Sequence, residues 1–326
     1  MERAARISRQ GGPEVIEWVD VELPLPAAGQ VRMRNTVVGL NFIDTYHRDG
    51  TYPVALPSGL GLEAAGVIEA VGDEVTDWRV GDRVCCFGPT IGAYATARNI
   101  DAACLFLIPD DISDETAAAG ILKGCTTEFL VERCAKVQPK WDVLVHAAAG
   151  GVGLLLVQWL KHVGATVIGT VSTDEKAALA RQAGADHVIL YGKEDEDVAK
   201  QVRLLTENKG VEVVFDGIGM ATWQISLASA RRRGLIVSYG NADAPVTGID
   251  LSLLAQKGSL YCTRPTLFDY YAHAAERSAG AEYVFDMFRQ GIITANIGQR
   301  YALEDAASAH INLEARKTSG STVFIV

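Results

Sequence analysis

Residues 142–161 read DVLVHAAAGGVGLLLVQWLK, and a change of rhythm inside them decides the fold. From Asp142 to Ala147 the run is short and apolar, as a buried strand would be. It then breaks at Gly150, Gly151 and Gly153. Beyond Val152 the apolar residues Leu155, Leu156, Trp159, Leu160 and Val163 recur at helical spacing. A strand that turns through glycines into a helix opens a βαβ unit. Glycine lets the backbone turn tightly there and lets a pyrophosphate approach the N–H groups of the helix start. Against the dinucleotide fingerprint G-x-G-x-x-G, Ala148 replaces the first glycine while Gly150 and Gly153 supply the other two.

Working outward from this corner, strand-like and helix-like stretches alternate to about residue 262. Strands are expected at 166–171, 187–190, 211–216 and 235–239, and helices at 174–183, 196–206 and around 223–230. Such alternation predicts a doubly wound parallel sheet with both faces covered. The charge run 195–197 reads as a solvated helix face, and Arg231 to Arg233 as the cationic end of a helix.

Residues 1–120 have another texture. Short apolar or alternating runs at 31–38, 65–71 and 83–87 are separated by Pro24, Pro26, Gly29, Gly61, Gly72 and Gly81, a pattern that suggests a compact β-barrel. Ser113 to Glu115 cap an Ala-rich helix, and a second helix is expected at 127–134. Near the C-terminus, helices are expected at 283–289 and 303–314 and a last strand at 321–326.

The 326 residues favour two domains. A net charge of -10 argues against a nucleic-acid partner. No apolar run approaches the ~20 residues that span a bilayer, and the N-terminus MERAARISRQGG shows no signal peptide. The six cysteines, at 85, 86, 104, 125, 134 and 262, contain no C-x-x-C pair and are expected as reduced thiols. Together these features predict a cytoplasmic protein.

The end of the second strand chooses the cofactor. A NAD site usually places Asp or Glu there to accept from the ribose 2′-OH. This chain has Thr170, Val171, Ser172 and Thr173 instead, with Lys176 one helical turn later. Hydroxyls and a cation suit a 2′-phosphate, so the expected cofactor is NADPH. Asp174 and Glu175 stand beside them, and Lys176 also reads as a surface lysine.

The corner, together with GLNFIDTY (39–46), LPSGLGLEAAG (56–66), KGCT (123–126), VSYGN (237–241) and QKGSLYCTRP (256–265), resembles the quinone oxidoreductase (zeta-crystallin-like) branch of the medium-chain dehydrogenase/reductases. Lys140 and Trp141 depart from the usual residues in the turn before the strand. The resemblance implies a GroES-like β-barrel domain at 1–122, rejoined by 266–326, and a Rossmann domain at 123–265 that binds NADPH, with the cofactor in the cleft. It puts Asn41 and Thr126 near the nicotinamide, and Ala149, Gly150, Gly151 and Val152 on the pyrophosphate. Ser172, Lys176 and Tyr191 would surround the 2′-phosphate. Tyr239, Gly240, Asn241 and Arg316 would line the remaining groove. Asn41, Tyr46, Tyr52 and Arg264 would meet substrate, although Tyr46 and Tyr52 read equally well as packing residues. No catalytic acid is assigned.

Zinc-dependent relatives resemble the chain but carry cysteine where Asn41 stands and G-H-E where Gly61, Leu62 and Glu63 stand. No metal is therefore expected. Without one, an easily reduced quinone suits the site, which would act mainly by proximity. An enzyme reducing activated C=C bonds of enals, enones or enoyl thioesters is the alternative, and a non-enzymatic NADPH- or RNA-binding protein is the third reading. By analogy with the family, a homo-oligomer, as a dimer, is expected.

Overall fold

In the computed structural model, which describes residues 1–191 and 197–326, the stretch 142–161 enters as the strand Asp142–Val145, turns over residues 146–149 and continues as the helix Gly151–Val163. Leu154, Leu155, Leu156, Val157, Trp159 and Leu160 are buried along that helix. It ends at Gly164, whose φ of 89° lets its N–H reach back to Leu160 O and Lys161 O.

The chain forms two compact units. Residues 125–272 and 290–293 make one. Its sheet has six parallel strands in the order His187–Leu190, Thr166–Val171, Asp142–Val145, Val211–Asp216, Ala230–Ser238 and Tyr261–Thr263. The order reverses between the third and fourth of these, the point at which doubly wound folds bind their ligands. Leu144, Ile168, Val214 and Ile236 from four strands pack with Trp223 and Leu227 in one apolar cluster. Strands buried on both faces need apolar residues at nearly every position, which is why 166–171 and 211–216 are found where the sequence predicts them, and the edge strand 187–190 is found there too.

Three expectations are corrected here. A separate helix at 127–134 does not form. The helix Asp114–Glu128 runs on without a break into a wider π-helical stretch, Phe129–Ala135, that closes on Lys136 with φ 50°. Within it Glu132 accepts from Trp159 Nε1 at 2.7 Å and Arg133 donates to Glu128 at 2.9 Å. Arg231 to Arg233 are not a helix terminus. The helix Met220–Ser229 has already ended, and they open the strand Ala230–Ser238 with Arg231 paired to Glu212 at 2.6 Å. The strand expected at 235–239 thus starts five residues earlier. Residues 195 and 196, part of the expected charge run and helix start, lie outside the described residues. Asp197 caps the helix Val198–Leu205 by accepting from Lys200 N.

The other unit comprises residues 1–124, 273–289 and 294–326. Its sheet runs in the order Ile297–Ala302, Ser321–Ile325, Gln30–Leu40, Glu63–Val71, Arg83–Phe87 and Leu105–Leu107, and Ala97–Asp101 also pairs with Gln30–Leu40. The long strand Gln30–Leu40 therefore organises this unit, with three antiparallel partners along its length. Alternate residues Val31 and Met33 point into a core shared with Ile68, Val84, Ile100, Leu303 and Phe324. Glu2–Arg6 and Glu17–Val21 form a separate antiparallel pair. The helix Phe42–Asp49, which the sequence reading did not foresee, follows the central strand directly.

Candidate active site

In the six-stranded unit, expected cofactor residues gather at the C-terminal edge of the sheet, together with Arg264, which was expected at the substrate. Residues 149–152 follow Val145, Ser172 follows Val171, Tyr191 follows Leu190, Tyr239 to Asn241 follow Ser238, and Arg264 follows Thr263. Gly150 is the N-cap of the helix and gives no side-chain cap to its first N–H groups. A Cβ at Gly150 would meet nothing nearer than Ala147 O at 3.3 Å, whereas at Gly153 it would strike the same oxygen at 2.2 Å. The two glycines thus divide the work: Gly153 lets helix and turn pack closely, and Gly150 keeps the approach to the helix start open. Ala147 adopts φ 51° to make the turn. Thr173 caps the next helix, Asp174–Gln182, by accepting from Lys176 N, so that Lys176 sits in the first turn after the strand. Ser172 is exposed and Lys176 half-buried. No carboxylate occupies the strand end itself. These features fit a phosphorylated dinucleotide: an open glycine bend, peptide N–H groups, hydroxyls and a cation.

Arg264 donates to Ser238 O at 2.8 Å and is largely exposed. Gly240 lies so close to Gly217 that a Cβ there would come within 2.4 Å of Gly217 O, and the Tyr239 ring covers Gly217. Thr126 is carried by the long helix Asp114–Glu128.

Beneath this edge runs a buried polar network that the sequence reading missed. His146, fully buried, places Nδ1 2.7 Å from Tyr191 Oη and 2.9 Å from Thr170 Oγ1, and Nε2 3.2 Å from Ser226 Oγ. Ser226 donates to Asp216 Oδ2 at 2.6 Å, and Asp216 also accepts from Thr222 Oγ1 and from the N–H groups of Ile218 and Gly219. Burial pushes the His146 pKa down, with the Asp216 charge opposing, and so keeps the ring neutral. The Tyr191 hydroxyl, expected at a phosphate, is turned toward this network, bonded to both Thr170 and His146. Burial raises its pKa. One polar residue inside the run DVLVHAAAG was the available signal.

In the other unit the structure brings Tyr46 and Tyr52 together, and Asn41 lies one residue before the helix that carries Tyr46. Asn41 is the N-cap of the helix Phe42–Asp49, and the Tyr46 and Tyr52 rings meet edge-on at 5.2 Å. Tyr46 is buried, and Tyr52 N–H donates to Tyr46 O. Arg316, exposed and at φ 59°, follows the helix Ala306–Glu314.

Asn41 is held by groups to which the sequence gave no role. Its Nδ2 donates to Glu63 Oε2 at 2.8 Å. Glu63 is fully buried, accepts Leu122 N–H at 2.7 Å and pairs with the buried Lys123 at 3.1 Å. The backbone N–H of Asn41 donates to Asp44 Oδ2 at 2.9 Å. Tyr94 Oη donates to the same oxygen, and behind Tyr94 stand His310, Arg48 and Glu314. Burial pushes the Asp44 carboxyl up to about 7, opposed by its two hydrogen bonds and by Lys123.

Zinc does not fit these residues. Asn41 presents an amide donor to Glu63, and Leu62 has no ligating atom. Among the described residues no group of three His, Cys, Asp or Glu side chains could hold a metal ion.

Residues 27–139 match the alcohol dehydrogenase GroES-like domain and residues 151–269 the zinc-binding dehydrogenase family. A quinone oxidoreductase of Pseudomonas aeruginosa is 48% identical over 326 residues, covering 100% of both chains. A 2-haloacrylate reductase of a Burkholderia species is 43% identical over 332 residues, covering 100% of this chain and 99% of its own. The crystal structure of Escherichia coli quinone oxidoreductase complexed with NADPH superposes with a TM-score of 0.96 at 43% identity, covering 99% of this chain and 100% of the other. The chain belongs to the quinone oxidoreductase branch of the medium-chain dehydrogenase/reductase family.

Proposed function

We propose that the protein is an NADPH-dependent quinone reductase that works without zinc. The observation that carries this reading is its whole-length correspondence with a quinone oxidoreductase crystallised with NADPH. When bound, NADPH supplies the reducing equivalents. The chain's own residues then have three tasks. The bend at Ala149, Gly150, Gly151 and Val152 would offer peptide N–H groups to the pyrophosphate. Ser172 and Lys176 would take the 2′-phosphate, with Tyr191 alongside through its ring. Tyr239, Gly240, Asn241 and Arg316 would line the rest of the cofactor site, with Thr126 and Asn41 at the nicotinamide.

For the substrate, Asn41, Tyr46, Tyr52 and Arg264 would orient a quinone. Its oxygens need only hydrogen-bond donors and protons from water, so positioning and exclusion of bulk solvent supply most of the rate. We assign cofactor binding to residues 123–265 and substrate binding to 1–122 with 266–326, in a cytoplasmic homodimer. No helix among the described residues is long and apolar enough to cross a membrane. Light scattering on a sizing column tests the dimer.

Oxidation of NADPH with 1,4-benzoquinone or a naphthoquinone tests the activity. Fast turnover with NADPH and slow turnover with NADH is expected, and equal use of NADH overturns the cofactor assignment. A second reading is favoured by the likeness to the 2-haloacrylate reductase: the same cofactor reducing an activated C=C bond. Comparing 2-haloacrylates and 2-alkenals with quinones separates the two.

A further inference from the structure

Two fully buried carboxylates grip Asn41 from opposite ends, Glu63 on the side-chain amide and Asp44 on the backbone N–H. Their surroundings differ. Glu63 has a cation at 3.1 Å in Lys123 and a peptide N–H on its other oxygen. Asp44 accepts through Oδ2 alone. Its Oδ1 is buried and meets no hydrogen-bond partner among the described residues. The charged and titratable groups facing it are Glu63 from the strand Glu63–Val71, Lys123 from the helix Asp114–Glu128, and Tyr94 from the segment before Ala97–Asp101. His310 and Arg48 stand behind Tyr94.

The direction of the hydrogen bonds behind Asp44 follows from Arg48. Its Nη1 lies 2.9 Å from His310 Nδ1 and can only donate. Nδ1 therefore accepts, Nε2 carries the hydrogen and donates to Tyr94 Oη at 3.0 Å, and Tyr94 donates to Asp44 at 3.0 Å. Burial and the neighbouring Arg48 push the His310 pKa down to about 3, which keeps the ring neutral. A guanidinium gives up no proton, so this chain anchors Asp44 without delivering protons to it.

We propose that Asp44 is a positioning residue for Asn41, which it holds by the backbone N–H, and that it serves the reaction in its neutral, protonated form. The proposal rests on the reading of the protein as a quinone reductase with Asn41 at the substrate. The ion pair of Lys123 with Glu63 is balanced. A neutral Asp44 leaves it so, whereas an ionised Asp44 adds an uncompensated negative charge behind Asn41. That charge opposes the negative charge growing on a quinone oxygen as electrons arrive. The burial that raises the Asp44 pKa toward neutrality favours the productive form.

The test is kcat and KM for 1,4-benzoquinone at saturating NADPH between about pH 5.5 and 9, for the wild type, Asp44→Asn and Tyr94→Phe. In the wild type kcat declines above a midpoint near neutrality, approaching about tenfold per pH unit. Asp44→Asn, an uncharged isostere of the protonated acid, lacks the decline. Tyr94→Phe removes a hydrogen bond that favours the ionised carboxylate, so its decline moves to higher pH. A merely structural role lowers kcat alike at every pH and leaves the midpoint in place. The same alkaline decline in all three proteins, or none in the wild type, overturns the proposal. Should Asp44→Asn not fold, Tyr94→Phe decides: a shifted midpoint supports the proposal and an unshifted one overturns it. Failure to reduce any quinone at any pH overturns the functional reading itself, and the proposal with it.

Discussion

At Gly150 the first atom of a side chain would lie 3.3 Å from Ala147 O, a close contact that a shift of a few tenths of an ångström relieves, while at Gly153 it would strike that oxygen at 2.2 Å. Valine therefore has opposite consequences at two positions three residues apart. Gly150→Val leaves the melting temperature within a few degrees of wild type and weakens NADPH binding at least about a hundredfold, because the branched side chain fills the approach to the helix start. Gly153→Val loses about 3 kcal/mol or more of stability, since a backbone oxygen cannot step aside as a side chain can. Thermal melts with NADPH fluorescence titrations check both, and unchanged NADPH affinity in Gly150→Val contradicts the cofactor placement. Lys176 bears on selectivity instead. Lys176→Ala weakens NADPH about tenfold and leaves NADH alone, as expected for one charge-assisted contact to a phosphate. The fingerprint spacing made these residues legible in the sequence, because a strand, a bend and a helix must follow one another within twenty residues. Tyr191 was legible only as a position. Where its hydroxyl points depends on His146 and Thr170, residues 45 and 21 positions away in the chain.

Among the elements, the parallel strands were the most legible and the helix Phe42–Asp49 the least. The strands Thr166–Val171, His187–Leu190 and Val211–Asp216 carry apolar residues at nearly every position and stop at turn residues. The helix FIDTYHRD instead buries Asp44, Thr45, His47 and Arg48 beside Tyr46, so the face it turns inward is mostly polar and does not read as core. Of its polar residues, Arg48 finds its partners far along the chain, in His310 and, at 2.6 Å, in Glu314. Arg48→Ala removes those partners from a buried site and costs about 2–3 kcal/mol, discounted from a wholly buried pair because Glu314 is partly exposed. Urea denaturation measures it. Asp44 in the same helix gives stability an unusual pH dependence. Its carboxyl sits near 7 in the folded chain against 3.8 as the ordinary value, so between those values the folded state holds a proton that the unfolded chain has released. Stability from this group is fully present below the lower value and is lost as pH rises through the upper one. Asp44→Asn abolishes that loss, a difference of a few kcal/mol across the window, seen as converging or crossing urea midpoints for the two proteins between about pH 4 and 8. Parallel curves contradict it.

Over the whole molecule, the return of the C-terminal strand Ser321–Ile325 to pair with Gln30–Leu40 shows what pattern alone could not supply. The strand itself is visible as an apolar run, but its partner lies nearly three hundred positions away, and only the family resemblance pointed to it. The same distinction holds for metal dependence. Single positions show that cysteine and histidine ligands are missing, and the folded unit adds that Asn41 and Lys123 both bond to Glu63 there. A chelator should therefore leave turnover intact. Incubation with EDTA or 1,10-phenanthroline is expected to change the rate of quinone-dependent NADPH oxidation by less than about 20%, because Asn41 and Leu62 stand where a catalytic metal would need ligands and no ligand set is found among the described residues. Loss of most of the activity, restored by added zinc, contradicts this. Substrate chemistry supplies the matching control. A quinone takes its protons on oxygen from water, whereas reduction of a C=C bond requires a donor to deliver a proton to carbon. We propose Tyr52, whose ring meets that of Tyr46 edge-on, as a candidate for that donor. Tyr52→Phe keeps the ring, so quinone turnover stays within about twofold of wild type, while reduction of a 2-haloacrylate falls by about a hundredfold if the chain carries it out through that residue. A comparable fall for both substrates assigns Tyr52 to binding, and a fall for neither removes it from the chemistry.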